Sequence, residues 1–378
     1  MMYGTEELLT FRQSCREFLQ LEAVPYLEEW EKQGIVGRSF WRKAGEAGLL
    51  GIGVSPEFDA RGCRDYRYAV ILTEELIDLG MTAPVIISHN DVIASYIDAH
   101  GTEEQRQRWL PGLCSGKLIA AIAVTEPSGG SNSAELGTTA VRSGDHYLVN
   151  GRKAYITNGI NADLVLVAVR TAEAQSGQGT SLLVIERDTV GFTRGPLLRK
   201  IGWHASDTAD LCFSNCEVPA SNLIGRENMG NFYFMLGMPR ERLSIATVAV
   251  ASSEILLKKT INWVKKRKAF GQSIGSFQYN KFTLAELDTE VKIARLYLED
   301  AVSKFNDNAL SIVDAARVKL WTTELQIKVA DRCLQLHGAA GYMNSSFVGK
   351  TWANSRVQTI YGGSSEVLKE LIGKSMGL

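Results

Sequence analysis

The sequence predicts an α+β protein built in series: an N-terminal all-α domain, a β domain in the middle and a C-terminal helical bundle. Three observations carry this. Apolar residues recur at three- and four-residue spacing from residue 5 to about 115, and again from Arg240 for most of the remaining chain. Between them, from 121 to about 225, short apolar stretches are broken by polar and glycine-rich turns. With 378 residues, 45% of them hydrophobic, the chain holds more apolar material than one ordinary core, which suits two or three domains. The boundaries fall at 1–120, 121–225 and 226–378.

In the first domain "TEELLTFRQSCREFL" opens on Thr5 as a cap, with acidic residues in the first turn. "YRYAVILTEELIDLG" closes on Gly80, a residue suited to the left-handed position after a helix. "TEEQRQRWLPGLCSG" reads as a further short capped helix. In the second domain "HYLVNGRKAYITNG" reads as strand, Asn-Gly turn, strand. "ADLVLVAVRT", "TSLLVIERDTVGFTRG" and "TADLCFSNCEVP" continue as β segments, for which a compact barrel and a sandwich both remain open. In the third domain Leu243, Ala246, Val250, Leu257, Ile261 and Val264 form one helical stripe. Val313, Ala316, Leu320, Ile327, Ala330 and Leu334 form another. Long helices with short connections pack as a bundle.

Composition excludes several classes of function. There are 41 basic and 42 acidic residues, so no global field recruits nucleic acid or an anionic membrane. The N-terminus "MMYGTEELLTFRQ" lacks the apolar core of a signal or transit peptide. "LIAAIAV" and "LVLVAV" are far too short to span a bilayer. The expectation is a soluble, cytoplasmic protein. Six cysteines are scattered, and Cys212 with Cys216 lacks a second pair, so reduced thiols are expected and no metal site is indicated. None of the five histidines falls at metal-ligand spacing. "GLLGIGVSPEF" is not a dinucleotide fingerprint, and there is no GxSxG elbow. A nucleotide cofactor would have to be held another way.

Five stretches stand out. "AIAVTEPSGGSN" (121–132) puts hydroxyls and backbone amides in a glycine-rich turn after an apolar strand, and "KAYITNG" (153–159) ends a strand similarly. "KKRKAFGQSIGSFQ" (265–278) joins a basic cluster to Phe270 and Gln278, and "QLHGAAGY" (335–342) ends a helix on small residues. "IYGGSSEVLKELI" (360–372) places glycines and serines between a strand-like aromatic lead-in and a helix. Singly, each is an ordinary turn, strand end or helix terminus. In this order the set resembles the acyl-CoA dehydrogenase family over essentially the whole chain.

That resemblance implies a middle β-barrel, a C-terminal four-helix bundle, FAD, a homotetramer (or at least a dimer), and desaturation of an acyl thioester between its α and β carbons. The thioester is on CoA or on an acyl carrier protein, and electrons leave to electron-transferring flavoprotein. By the same resemblance, Ile122, Val124, Thr125 and Ser131 contact the flavin, with Ser131 also near the pantetheine arm. Tyr155 stands where tryptophan is usual against the isoalloxazine, and Thr157 is a hydrogen-bond partner of that ring. Arg267, Phe270 and Gln278 reach the diphosphate and adenosine of a neighbouring subunit's FAD, with Gln335 and Gly338 a further clamp and Ser364 and Glu366 a contact at the near subunit. A cation, helix-end amides and small residues suit a diphosphate. Three positions depart from the usual pattern: Asn132 for aspartate, Ala339 for glycine, and Gly362 for the catalytic glutamate.

The departure at Gly362 removes the general base that α-proton abstraction needs. Gly362 still offers its backbone amide to the thioester carbonyl, with Gly363 beside the substrate. "MPRERLSIA" (238–246) supplies a substitute: Glu241 matches the base position of the long-chain and isovaleryl branches, and Arg242 an arginine near the CoA moiety. Without the resemblance, Glu241 reads as a helix-start acid favoured by the macrodipole, with Pro239 marking the helix entry. Acyl-CoA oxidase or flavin monooxygenase chemistry uses the same fold, but a monooxygenase needs no α-proton base. A flavin-free scaffold would not need the flavin contacts that are present.

Overall fold

The computed structural model describes residues 4–58, 64–81, 85–130, 136–171 and 179–378. Helices α1 (Glu6–Glu22), α2 (Leu27–Gln33), α3 (Arg38–Glu46), α4 (Arg67–Asp78), α5 (Val85–Ser88), α6 (Ser95–His100) and α7 (Glu103–Cys114) come first. Their ends obey local chemistry. The Thr5 hydroxyl accepts the Leu8 N–H at the start of α1, and Gly80 (φ +81°) follows α4, with the next N–H, of Met81, donating to the Leu76 carbonyl at 3.0 Å. Thr102 and Gln105 form a capping box on α7.

Between α5 and α6 the helix widens into a π turn, His89–Ala94, and all six of its residues are buried. Its polar groups are used as pins. Asn90 accepts from the Gly51 N–H at 2.9 Å and donates to the Leu49 carbonyl at 2.8 Å. His89 lies between the Ala120 N–H (3.4 Å) and the Leu113 carbonyl (3.1 Å). Burial lowers its pKa to about 4, so the ring is neutral.

The middle region contains β1 (Ala120–Ala123), β2 (Thr139–Ser143), β3 (His146–Thr157), β4 (Leu164–Arg170), β5 (Thr180–Glu186), β6 (Phe192–Arg194), β7 (Thr208–Pro219) and β8 (Leu223–Ile224). They form one mixed sheet in the order β6-β7-β3-β2-β4-β5-β8, with β1 parallel to β4. One continuous sheet curls over its own core of Tyr147, Val165, Val167, Leu183 and Leu211. The other face of β4 and β5 packs Leu164, Leu166 and Leu182 against Ile97, Trp109 and Leu110, so these strands are apolar on both sides.

The Asn-Gly hairpin expected at 150–151 is not there. β3 runs through both residues, and the register against β7 shifts between Val149 and Gly151. Gly151 (φ +148°) is a bulge whose missing Cβ leaves room for the Thr138 backbone. Asn150 and Asn215 exchange hydrogen bonds across it, at 2.8 and 3.2 Å. The true turn is at Gly144, between β2 and β3.

The C-terminal region holds α8 (Gly230–Lys266), the small hairpin β9 (Lys268–Ala269) and β10 (Gln272–Ser273), α9 (Gln278–Asn306), α10 (Ile312–His337), α11 (Phe347–Ser355) and α12 (Ser365–Ser375). α8, α9 and α10 pack lengthwise, and α11 and α12 close against α10. Three expectations shift here. α8 begins ten residues before Arg240, so Pro239 lies inside it and cannot donate to the Met235 carbonyl. The interruption falls just before Glu241. On α10 the buried face is Ala315, Ala316, Val318, Lys319, Thr322, Gln326, Val329, Ala330 and Cys333, so Ala316 and Ala330 fall where the spacing puts them, while Val313, Leu320, Ile327 and Leu334 lie half-buried at its edge. Polar residues on the true inner face hid its phase. The lead-in to the tail motif is a 3-10 turn, Arg356–Thr359, rather than a strand. Among the described residues no helix is long and apolar enough to cross a membrane.

Candidate active site

Three consecutive charged residues on α8 point three ways, because successive side chains on a helix are about 100° apart. Arg240 turns to the N-terminal helices, donating to Asp91 Oδ1 at 3.1 Å and to the Ile52 carbonyl at 2.9 Å. Asp91 also accepts from the Tyr66 hydroxyl at 3.3 Å, so the π turn is tied to α8. Arg242, buried, turns to the tail, with its guanidinium 3.5 Å from the Gly362 carbonyl and 3.3 Å from that of Ile312. Glu241 projects between them.

Gly362 has φ +62°, in the left-handed region. A Cβ there would overlap the Ile245 Cδ1 methyl and stand 3.7 Å from Glu241 Oε1. The neighbouring carbonyl, of Gly363, accepts from Lys319 Nζ at 2.7 Å. Two buried cations thus hold the two glycine carbonyls from behind. Burial raises the Glu241 pKa above the usual carboxylate range, with Arg242 and Lys319 opposing the shift. The residue as a whole nonetheless keeps intermediate exposure. Tyr96, buried, lies alongside, and burial together with the Glu241 charge keeps its phenol neutral, while the hydroxyl of Tyr361 on the tail donates to Gln358 Oε1 at 2.6 Å.

A second wall comes from the sheet. On β1 and its extension Ala121 and Ala123 are buried while Ile122, Val124 and Thr125 are half-buried. The Ala154 N–H donates to the Thr125 carbonyl at 2.9 Å, which seals this segment to β3. Lys153, fully buried, bonds Glu126 Oε1 at 2.7 Å and the Val124 carbonyl at 3.1 Å. Glu126 in turn accepts the N–H groups of Gly137 and Thr138 at 2.6 and 2.9 Å. Neither Glu126 nor Lys153 was singled out from the sequence. A lysine and a glutamate inside otherwise apolar strand ends were the available signal. Past this pair Tyr155 (φ +60°) is 70% exposed, its N–H donating to Asp210 at 3.1 Å, and Thr157 is exposed too. An aromatic ring and two hydroxyls presented along one strand end form a donor set suited to a flat, hydrogen-bonding ring system. Ser131 and Asn132 lie outside the described residues.

The remaining predicted residues gather elsewhere. Arg267 follows the end of α8 as its C-cap, twenty-six residues beyond Glu241 and about 39 Å along the axis. Phe270, 95% exposed at φ +50°, forms the β9–β10 turn with Gly271, and Gln278 opens α9. Gln335 and Gly338 join them at the end of α10, where His337 stacks on Trp263 at 4.9 Å. This patch cannot share one flavin with Glu241 of the same chain. Ser364 caps α12 by accepting the Val367 N–H, and helix-end hydrogen bonds hold the Glu366 pKa low. Lys319 is the other residue that the sequence reading passed over, hidden by the misphased α10 stripe.

The chain matches sequence profiles described as acyl-CoA dehydrogenase N-terminal, middle and C-terminal domains, over residues 5–117, 121–216 and 228–377. It is 41% identical over 368 residues to the long-chain specific acyl-CoA dehydrogenase, mitochondrial, of Rattus norvegicus, covering 97% of this chain and 85% of that one. Isovaleryl-CoA dehydrogenase, mitochondrial, of Pongo abelii is 30% identical over 375 residues, covering 98% and 89%. The crystal structure of an acyl-CoA dehydrogenase from Geobacillus kaustophilus superposes with a TM-score of 0.96 at 42% identity, covering 100% and 99% of the two chains. Three successive domains, a helix-borne carboxylate facing the tail motif and these matches over the whole length establish that the chain belongs to the acyl-CoA dehydrogenase family.

Proposed function

We propose that Glu241 is the base in an FAD-dependent desaturation of an acyl-CoA. The reading rests above all on its carboxylate standing 3.7 Å from the place of a Gly362 side chain. Glu241 in its ionised form takes the α-proton of the thioester, and the α,β double bond forms as the β-hydrogen leaves with its electron pair. FAD, when bound, supplies the acceptor for that pair. Thr125, Tyr155 and Thr157, with Ile122 and Val124, would hold its ring. The Gly362 N–H, in a loop whose next two carbonyls are held by Arg242 and Lys319, donates to the thioester carbonyl as charge develops there. Gly363 and Arg242 border the thioester. A raised pKa suits a base working near neutrality.

The distant patch supports assembly. Arg267, Phe270, Gln278, Gln335 and Gly338 serve the diphosphate and adenosine of a neighbouring subunit's FAD, while Ser364 and Glu366 contact it at the near subunit. An exposed stripe on α9, Tyr279, Phe282, Ile293 and Leu296, offers a face for a second copy, consistent with a homotetramer. Electron-transferring flavoprotein is the proposed electron acceptor. The helix-borne base and the 41% identity to a long-chain specific relative favour a long acyl chain. Anaerobic mixing of the FAD-loaded protein with short-, branched-, medium- and long-chain acyl-CoAs tests this. Fastest flavin bleaching with the long chains is expected, and no bleaching with any thioester would overturn the reading.

A further inference from the structure

Lys319 is 0% exposed, yet among the described residues it makes no ion pair. Its one hydrogen-bond acceptor at 2.7 Å is the Gly363 carbonyl. Burying an ammonium without a carboxylate costs stability that an apolar side chain of similar volume would not. Its charged surroundings are Arg242 and Glu241 from α8, Glu324 on its own helix and Glu366 from α12. Glu324 is already engaged by Lys369 at 3.1 Å, and Glu366 is exposed. Glu241 itself is faced by Arg242, Lys319, Tyr96 from α6 and Tyr361 from the tail.

The tail loop needs such an anchor. Gly362 and Gly363 both have positive φ (+62° and +93°), the conformation with the widest alternatives for glycine. Arg242 holds the Gly362 carbonyl only at 3.5 Å. The bond from Lys319 is the short one, and it comes from a rigid helix.

We propose that Lys319 is a positioning residue: by holding the Gly363 carbonyl it fixes the Gly363–Ser364 peptide, and so restrains the two positive-φ glycines through which the loop carries the Gly362 N–H toward the thioester carbonyl. This rests on the reading of Gly362 and Glu241 given above. Burial lowers the Lys319 pKa to about 8, and its charge opposes the upward shift of Glu241. Removing it therefore also moves the base.

The test is Lys319→Met in the FAD-loaded protein, with Lys319→Gln measured in parallel in case the first does not fold. FAD content is expected to stay at the wild-type level. Amide hydrogen exchange at 360–364 is expected to rise at least tenfold, a readout independent of turnover. Flavin reduction by saturating acyl-CoA should fall about 10- to 100-fold, the scale of a small misplacement, with little change in KM. The acid limb of its pH profile should move to higher pH. Unchanged exchange at 360–364 with an unshifted profile in the folded variant would overturn the proposal. The role of Glu241 is judged separately, on Glu241→Gln, so the two failures are distinguishable.

Discussion

Glu241 and Gly362, separated by more than a hundred residues in the chain, share one small volume. The carboxylate approaches the glycine on the side where any other residue would carry its Cβ. A carboxylate from α8 and a side chain on the tail compete for the same seat, and Ile245 closes the remaining space.

Replacing Glu241 with Gln should leave FAD binding intact and slow flavin reduction by acyl-CoA about 10²- to 10⁴-fold, the usual worth of a general base. In the unaltered enzyme, reduction should increase with pH through a pKa above the normal glutamate range. Stopped-flow bleaching across pH measures both. A near-normal rate in the variant would remove Glu241 from the mechanism.

The same substitution should stabilise the folded chain at neutral pH. The folded-state pKa of Glu241 is raised by burial, so its favourable contribution is present below the unfolded pKa and lost as pH rises through the folded one. The advantage of Gln over Glu, about 1–3 kcal/mol for relieving a poorly solvated group, should therefore be greatest above the folded pKa. It should shrink to nothing as pH falls through the ordinary carboxylate range. Thermal unfolding of the two proteins at several pH values reads the difference.

Gly362→Ala should lose about 2–5 kcal/mol. Left-handed backbone costs an L-residue roughly 1–2 kcal/mol, and the new methyl overlaps Ile245, an overpacking of roughly 1–3 kcal/mol. Combining it with Ile245→Ala should remove the steric part, because the two sites are in contact. Chemical denaturation of the singles and the double checks the coupling.

Lys153→Met should be among the most damaging changes in the sheet. It leaves Glu126, 5% exposed, without its cation, and breaking a buried pair from one side costs about 3–5 kcal/mol. Since Lys153 also holds the Val124 carbonyl, FAD should be lost before the fold is. Flavin release followed against unfolding tests the order.

Much of this protein is written in local chemistry. The caps at Thr5 and Thr102, the stop at Gly80 and the apolar stripe of α8 follow from neighbours within a turn or two, and they appear where the sequence places them. The order of the five motifs carries the family and its reaction. Where the reading slipped, a residue had two local meanings that only packing separates. Asn150-Gly151 is as good a bulge as a turn, and Thr138 lying against Gly151 selects the bulge. Pro239 starts helices and also interrupts them, and burial of Tyr233 and Phe234 carries α8 back past it.

The sequence by itself therefore determined the three-domain series and the local caps and stops at Thr5, Gly80 and Thr102, and it nominated the candidate residues. Tertiary structure alone decided which residues meet: Glu241 with Gly362, Lys153 with Glu126, Lys319 with Gly363, and the Arg267 patch about 39 Å of helix from the base. Spacing along a chain constrains neighbours within a few residues. Partners far apart in sequence are chosen by which buried charges and carbonyls find each other once the apolar faces have packed.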